Sequence, residues 1–170
     1  MGSMAKKLWD KDFLLHVNDD CKGFVTTVHE MLLQDNYKPK VQVTKSTGLQ
    51  LSYSQPKVKG ATGVILIFFF RNGKLAIRIY GKNHTAYPNV LNSLPAKIAS
   101  QIDKAVNCVK FTDPQRCWKG CIGYDFHIGE NHYQKCITQC FQFEIDPDED
   151  VPHLLELIKN ENKARIATEA

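Results

Sequence analysis

The stretch GVILIFFFRNGKLAIRIY, residues 63–80, decides the fold. Its first eight residues contain no polar side chain, which predicts a central β-strand that is covered on both faces. Asn72-Gly73 follows as the strongest short signal for a hairpin, because both central positions of a type I′ turn need a positive φ. Residues 74–80 are therefore predicted to return as the antiparallel partner strand.

A two-residue turn fixes the register of this hairpin and places apolar pairs on one face, which we assign to the core. The opposite face is mostly apolar but carries Arg78 near its centre. Either a second layer covers that face, or it lines a pocket with Arg78 as the polar anchor. The simpler interpretation is that Arg78 extends to the sheet edge or pairs with an acid. The predicted pairs are Phe70 with Leu75, Phe68 with Ile77, and Leu66 with Ile79.

The elements before this hairpin are predicted from their periodicity. Apolar residues at helical spacing follow Asn18 and predict a first helix, with Cys21 as a small core residue on its apolar face. The sequence GLQLSYSQP, residues 48–56, alternates apolar and polar side chains and predicts a strand that ends at a proline.

The elements after the hairpin are predicted to be a helix, a second hairpin and a last helix. Ser93 is expected to cap the first of these helices, and the last begins at about Val151. The segments IGYDFHI (residues 122–128) and YQKCITQCFQFEI (residues 133–145) flank the turn of the second hairpin. If residues 133–145 are one strand, their phenylalanines face inward and their cysteines face the other way.

Length and composition indicate an ordinary globular chain. It has 170 residues, of which 43% are hydrophobic and 24% charged. Met-Gly-Ser at residues 1–3 resembles an expression-tag remnant, so residues 4–170 are expected to form a single domain. The element order predicts an α+β fold with a mostly antiparallel sheet of about five strands in two hairpin-type units, three helices and a cysteine-rich loop.

Charge and hydropathy restrict the partners. The longest apolar run, residues 64–70, is far too short to span a bilayer, and no signal peptide is recognisable, so we expect a cytoplasmic protein without a membrane partner. The formal charge of +4 is spread along the chain, which supports nucleic acid binding only weakly. The motifs of phosphate loops, dinucleotide sites and common hydrolases are absent from the sequence.

Five of the six cysteines lie between residues 108 and 140, in the pattern C-x8-C-x3-C-x14-C-x3-C. Zinc prefers four thiolate or imidazole ligands in a tetrahedron, so this cluster predicts a structural zinc site. Two cysteines four positions apart on one strand would be about 13 Å apart, so only one of the last two should bind the ion. The C-x3-C spacing is unusual for zinc, which leaves reduced thiols or a redox site as alternatives. The predicted ligands are Cys108, Cys117, Cys121 and Cys136, with His127 and His132 as substitutes.

A second group of polar and aromatic residues follows the first hairpin and predicts a ligand-binding site. In an enzyme, His84 would act as general acid/base and Lys82 would stabilise phosphate charge. Solvated loop residues are the simpler interpretation. The group consists of Arg78, Tyr80, Lys82, His84 and Tyr87.

The sequence therefore favours a non-enzymatic cytoplasmic binding module with a structural zinc site. Its apolar sheet face would bind a small molecule or a protein partner, and its oligomeric state is not predicted. Two alternatives stay open. One is an enzyme that processes RNA or a phosphate-containing substrate through His84 and Lys82, and the other is a redox-responsive thiol protein.

Overall fold

A computed structural model of the chain describes residues 13–58 and 63–169. The fold is α+β, as the sequence predicts. Within the described residues, four α-helices accompany an antiparallel sheet of five strands, in the order β1-β2-β3-β4-β7, and a separate pair formed by β5 and β6. None of the helices in this part of the chain is both long enough and apolar enough to cross a membrane.

The helices and strands alternate along the chain without a repeat. The helices are α1 (Asp19–Gln34), α2 (Pro88–Asn92), α3 (Ala96–Lys104) and α4 (Val151–Glu169). The strands are β1 (Lys38–Thr44), β2 (Gly48–Ser54), β3 (Val64–Arg71), β4 (Lys74–Ile79), β5 (Tyr124–Ile128), β6 (Asn131–Lys135) and β7 (Gln142–Glu144).

The described residues fall into two compact units. The first consists of the residues up to Ile77 together with Glu144–Val151, and the second consists of Arg78–Phe143 and the residues from Pro152 onward.

Phe68 on β3 is the centre of the core of the first unit. It is fully buried, and the rings of Phe24 and Tyr53 meet it edge-on with centroids 5.8 and 6.5 Å away. Edge-to-face pairs at this distance add about 0.5–1.5 kcal/mol each to the free energy gained by burying the area. Tyr53 brings a hydroxyl group into this core, and the hydroxyl is hydrogen-bonded to Nδ1 of the buried His29 at 2.9 Å.

The hairpin predicted at Asn72-Gly73 is present. The two residues have φ angles of 51° and 74°, as a type I′ turn requires, and β3 and β4 are neighbours in the sheet. Both faces of β3 are covered, since Leu66 is fully buried on one side while Ile65 and Phe69 are 0% and 4% exposed on the other. The prediction of a strand covered on both faces is confirmed.

Strand β1 was missed by the sequence-based prediction. It pairs antiparallel with β2, from Lys38↔Ser54 to Thr44↔Gly48, and lies at the edge of the sheet. Its side chains alternate between exposed and half-buried, and Val43 is 78% exposed. An edge strand that buries no complete side chain leaves no clear apolar pattern in the sequence.

The helix predicted to begin after Ser93 begins later. Ser93 instead closes α2, and its hydroxyl donates to the carbonyl oxygen of Val90 at 2.8 Å. Pro95, in an extended conformation, then precedes α3. The prediction was wrong because a proline disfavours the helical conformation of the residue before it, so Leu94 cannot continue a helix into Pro95.

The long strand predicted over residues 133–145 is also not formed. Strand β6 ends at Lys135, the chain makes a turn in which the Cys140 N–H donates to the Cys136 carbonyl at 2.9 Å, and β7 then joins the five-stranded sheet. Cys136 and Cys140 are therefore not on one strand, and the argument that strand geometry keeps them apart was wrong. Phe141 and Phe143 are buried, as their spacing indicated.

Candidate functional site

Cys108 and Cys136 are brought together by a short pairing between the segment after α3 and the end of β6. The Cys108 N–H donates to the Gln134 carbonyl and the Cys136 N–H donates to the Val106 carbonyl, both at 2.9 Å. These bonds flank an antiparallel bridge between Asn107 and Lys135. Alternation along paired strands then places both cysteines on the same face, diagonally across the bridge.

Cys117 and Cys121 are held on the segment that we call the cysteine loop, residues 108–123. The loop winds through two short 3₁₀ turns, Val109–Phe111 and Pro114–Arg116, before it reaches β5. The Lys110 amine donates to the Cys121 carbonyl and joins the start of the loop to its end.

Neighbouring thiols act on the pKa values of two of the four predicted ligands. Cys121 raises the pKa of both Cys117 and Cys108, and Cys136 also raises that of Cys108. Burial is the main cause that raises the pKa of Cys108, whereas hydrogen bonding of the Cys117 thiol to Cys121 as the acceptor is the main cause that raises the pKa of Cys117. The thiols of Cys108 and Cys117 therefore stay protonated to a higher pH than free thiols do. Cys108 and Cys121 are buried, and Cys117 and Cys136 are half-buried.

Cys140 has a different environment. It is fully buried, burial raises its pKa strongly, and the groups that act on it are Lys135 and Cys136. Cys108, by contrast, interacts with Cys121 and Cys136. Cys140 therefore belongs to the interior behind Cys136. Cys21, in the first unit, is a buried core thiol on α1 as predicted, and burial raises its pKa to about 11.

The donor atoms as placed do not form a finished metal site. Within residues 13–58 and 63–169, no set of three or more His, Cys, Asp or Glu side chains is arranged to hold a metal ion. All six cysteines lie in these ranges and none forms a disulfide. The four thiols nevertheless have the donor chemistry that zinc selects, and they come from three separate segments, as in closed structural sites.

The backbone passes close to these thiols at Gly123. This residue has a φ of 66°, and a Cβ there would lie 2.6 Å from the Phe111 ring and 3.1 Å from the Cys108 sulfur. Only glycine satisfies both the backbone conformation and the close approach. Gly123 thereby allows Phe111 to pack beside Cys108.

The cysteine loop exposes several large apolar side chains. Val109 and Phe111 are each 37% exposed, and Trp118 and Ile122 are each 54% exposed. A loop of this kind buries too little apolar area to be held by hydrophobic contacts alone.

Arg78 and Tyr80, from the predicted ligand-binding group, contact each other and the neighbouring strand. The Arg78 guanidinium donates from Nε and Nη2 to the Gln142 side-chain oxygen at 3.0 and 2.7 Å, and Nη1 lies 3.5 Å from the Tyr80 hydroxyl. Arg78 thus pairs with a side chain of the neighbouring strand. The simpler interpretation of the sequence was that it extends to the sheet edge or pairs with an acid, whereas its partner here is the amide of Gln142.

His84 is buried and bonded to the backbone through both ring nitrogens. Nδ1 lies 2.9 Å from the Gly81 carbonyl oxygen and Nε2 lies 3.2 Å from that of Asp125. The ring also packs edge-on against Tyr124. A side chain held in this way has no nitrogen directed at a substrate, so the geometry does not favour a general acid/base role. Lys82 is exposed.

Tyr87 belongs to a buried polar network that the sequence did not reveal. Its hydroxyl donates to Glu161 at 2.6 Å, and Glu161 is paired with Arg165 at 2.7 Å. Both members of this pair are at most 2% exposed. Arg165 also donates to the Tyr80 carbonyl. Burial and the adjacent carboxylate raise the pKa of Tyr87 far above its usual value, so the phenol stays a donor.

The substitute ligands His127 and His132 lie on β5 and β6, where they are paired across the strands. Their rings stack on each other, and His132 is hydrogen-bonded to Asp125. The structure therefore places them in a histidine pair of their own.

The chain has no recognised relatives in three comparisons. No protein-family model matches it, no curated protein matches its sequence, and no solved structure matches its fold.

Proposed function

We propose that Cys108, Cys117, Cys121 and Cys136 bind a structural zinc ion, and that the protein is a non-enzymatic module that binds a protein partner through the cysteine loop. The observation that supports the zinc site is the effect of neighbouring thiols on one another: Cys121 raises the pKa of both Cys117 and Cys108, and Cys136 also raises that of Cys108. When zinc replaces the thiol protons, thiols in mutual contact become four ligands of one ion. The cytoplasm is a reducing compartment, in which six unpaired cysteines persist.

The zinc ion would stabilise a loop that lacks a core of its own. It would tie Cys117 and Cys121 to the pairing that holds Cys108 and Cys136, and thereby fix the loop on the end of β6. Metal binding of this kind contributes directly to the free energy of folding.

The exposed side chains of the cysteine loop support a protein partner. Phe111, Trp118 and Ile122 combine aromatic and aliphatic surface, and Trp in particular is common at the centre of protein interfaces. The predicted ligand-binding group is a weaker candidate for the binding surface than the cysteine loop. Arg78 is hydrogen-bonded to Gln142 in the sheet, His84 to the backbone and Tyr87 to Glu161.

Metal content of single variants tests the zinc site. Protein purified without added metal should carry one equivalent of zinc, and replacing Cys108, Cys117, Cys121 or Cys136 by serine should abolish stoichiometric retention. The matched controls are Cys21→Ser and Cys140→Ser, which should keep the ion. Far less than one equivalent in the wild-type protein contradicts the proposal. A disulfide between Cys117 and Cys121 formed by mild oxidant in metal-free protein would favour the redox alternative.

Trypsin tests the proposed role of the ion. The cysteine loop offers cleavage sites at Lys110, Arg116 and Lys119. A chelator should accelerate cleavage at these sites at least about tenfold, because the loop loses the cross-link that joins Cys117 and Cys121 to Cys136. Cleavage rates that stay the same after the chelator would show that other contacts hold the loop.

Photo-crosslinking tests the partner surface. A photoreactive residue at position 118 should form an adduct of one defined mass in cells, and the adduct should disappear in the Cys121→Ser background. The control is the same residue at position 43, which is also exposed but lies on β1. Equal adducts at both positions would contradict a partner on the cysteine loop.

A further inference from the structure

The exposed face of the β5–β6 hairpin carries four side chains of complementary chemistry. Asp125 lies opposite Gln134, and His127 lies opposite His132. Because alternate residues of a strand share a face, all four side chains project from the same side of the hairpin. All of them are exposed or half-buried, so the face is open to small solutes.

The histidine pair is held in a defined arrangement. The rings of His127 and His132 stack with centroids 4.6 Å apart and planes 14° from parallel. Asp125 Oδ1 lies 2.6 Å from His132 Nε2, and the Gln134 amide donates to Asp125 Oδ2 at 3.0 Å. Asp125 is thus fixed from one side by Gln134 and itself fixes His132.

The carboxylate determines which nitrogen of His132 is available. A carboxylate accepts a hydrogen bond, so Nε2 carries a proton and, in the neutral ring, Nδ1 carries the lone pair. Metal-binding histidines commonly donate their second ring nitrogen to a carboxylate in this way, which fixes the tautomer and the orientation of the ring.

We propose that His127 and His132 form a binding site for a divalent transition metal ion of the nickel, copper and zinc class, with Asp125 as a positioning residue. Two imidazoles suit these ions, provided that the exposed His127 ring turns out of the stack so that its nitrogen and Nδ1 of His132 face one ion, and water would complete the coordination. The site uses two protein ligands, one from each strand of the hairpin. It is separate from the four thiols and does not depend on the zinc proposed there.

Calorimetric titration of the protein as purified with Ni²⁺ tests the site. One equivalent should bind without the thiolate-to-nickel charge-transfer absorption that the cysteines would give. His127→Ala and His132→Ala should each weaken binding at least about tenfold, because a single imidazole remains. The matched control is His16→Ala, an exposed histidine on another segment, which should leave the affinity unchanged. Equal affinities in all four proteins would overturn the proposal, and so would charge-transfer absorption that accounts for all of the bound nickel.

The role of Asp125 is tested by the tautomer of His132. Ring nitrogen chemical shifts should report an Nε2–H tautomer in the wild-type protein at neutral pH. Asp125→Asn should remove this preference and weaken nickel binding about tenfold, a size typical for the loss of such partners. Asp125→Glu should restore part of both. An unchanged tautomer and affinity in Asp125→Asn would remove Asp125 from the proposal.

Discussion

The β3–β4 hairpin and the cysteine loop differ in what holds them. In the hairpin, Leu66, Phe68 and Ile77 have no exposed surface. In the loop, Phe111 is 37% and Trp118 is 54% exposed, and no helix exceeds three residues. The first region owes its stability to apolar burial, which scales with the area removed from water.

The difference indicates that the cysteine loop needs a cross-link. Apolar area cannot offset the conformational entropy of ordering a loop whose large side chains stay half in water. The zinc ion that we propose on Cys108, Cys117, Cys121 and Cys136 would supply this cross-link in addition to the bond between Lys110 and the Cys121 carbonyl.

The largest effect is expected in the hairpin. Phe68→Ala should lower the free energy of unfolding by about 3–5 kcal/mol, because it leaves a cavity among aromatic neighbours. The matched substitution in the loop is Phe111→Ala, which should cost about 1 kcal/mol or less because its ring already contacts water. Urea unfolding monitored by circular dichroism measures both. Equal losses would break the contrast between the two regions.

The second-largest loss of stability is expected at the buried Glu161–Arg165 pair in the second unit. Glu161→Gln should lower the free energy of unfolding by about 3 kcal/mol, because Arg165 would be left buried without its carboxylate. The exposed pair of Asp19 and Lys22 serves as a control, and Asp19→Asn should change stability little. Thermal and urea unfolding of both variants provide the measurement. A stable Glu161→Gln protein would mean that buried polar contacts do not support this unit.

Two glycines with positive φ, one in the β3–β4 hairpin and one in the cysteine loop, allow the same substitution to be compared in both regions. Gly73 has open space around its Cα, so Gly73→Ala should cost only the backbone strain of about 1–2 kcal/mol and leave zinc content unchanged. Gly123→Ala carries the same strain and in addition pushes on Phe111 and Cys108. It should therefore also reduce zinc retention. Metal content and stability of the two variants should be measured side by side, and identical zinc content would contradict the close approach at Cys108.

The smallest effect is expected at the Asp125 carboxyl. Hydrogen bonds from Gln134 and then His132 lower its pKa below the ordinary value of 3.8. A depressed folded-state pKa contributes stability above pH 3.8 that is lost as the pH falls through the folded value. Both side chains of the Asp125–His132 pair are 48% exposed, so solvent limits the contribution to about 0.5 kcal/mol or less. In Asp125→Asn, the free energy of unfolding should fall by about 0.5 kcal/mol less between neutral and acid pH than in the wild-type protein. A larger difference would indicate that solvent does not screen the Asp125 carboxylate.

The sequence predicted the regions in which periodicity and turn chemistry agree. The apolar run before Asn72-Gly73 and the two positive φ angles follow from local preferences that tertiary contacts reinforce. Strand β1 was missed because an edge strand buries no full side chain. The predicted strand over residues 133–145 failed because an apolar alternation does not show where a chain leaves one sheet for another.

The candidate site was predictable in its residue types and less so in its geometry. Spacing selected Cys136 over Cys140 on the basis of a strand that does not form, and in the structure Cys136 raises the pKa of both Cys108 and Cys140, so the choice between the two stays a prediction. The partnership of Glu161 with Tyr87 joins residues 74 positions apart, and no local pattern encodes such a contact. Long-range polar networks of this kind emerge only when the elements have packed.

X-ray absorption at the zinc edge of protein purified without added metal distinguishes a four-thiolate site from every alternative. We expect one zinc per chain with four sulfur neighbours at about 2.3 Å and no nitrogen or oxygen ligand. The Cys136→Ser protein should lose this signal, and the Cys140→Ser protein should keep it. A first shell of nitrogen and oxygen, or a wild-type chain that carries no zinc, would contradict the assignment of the four thiols.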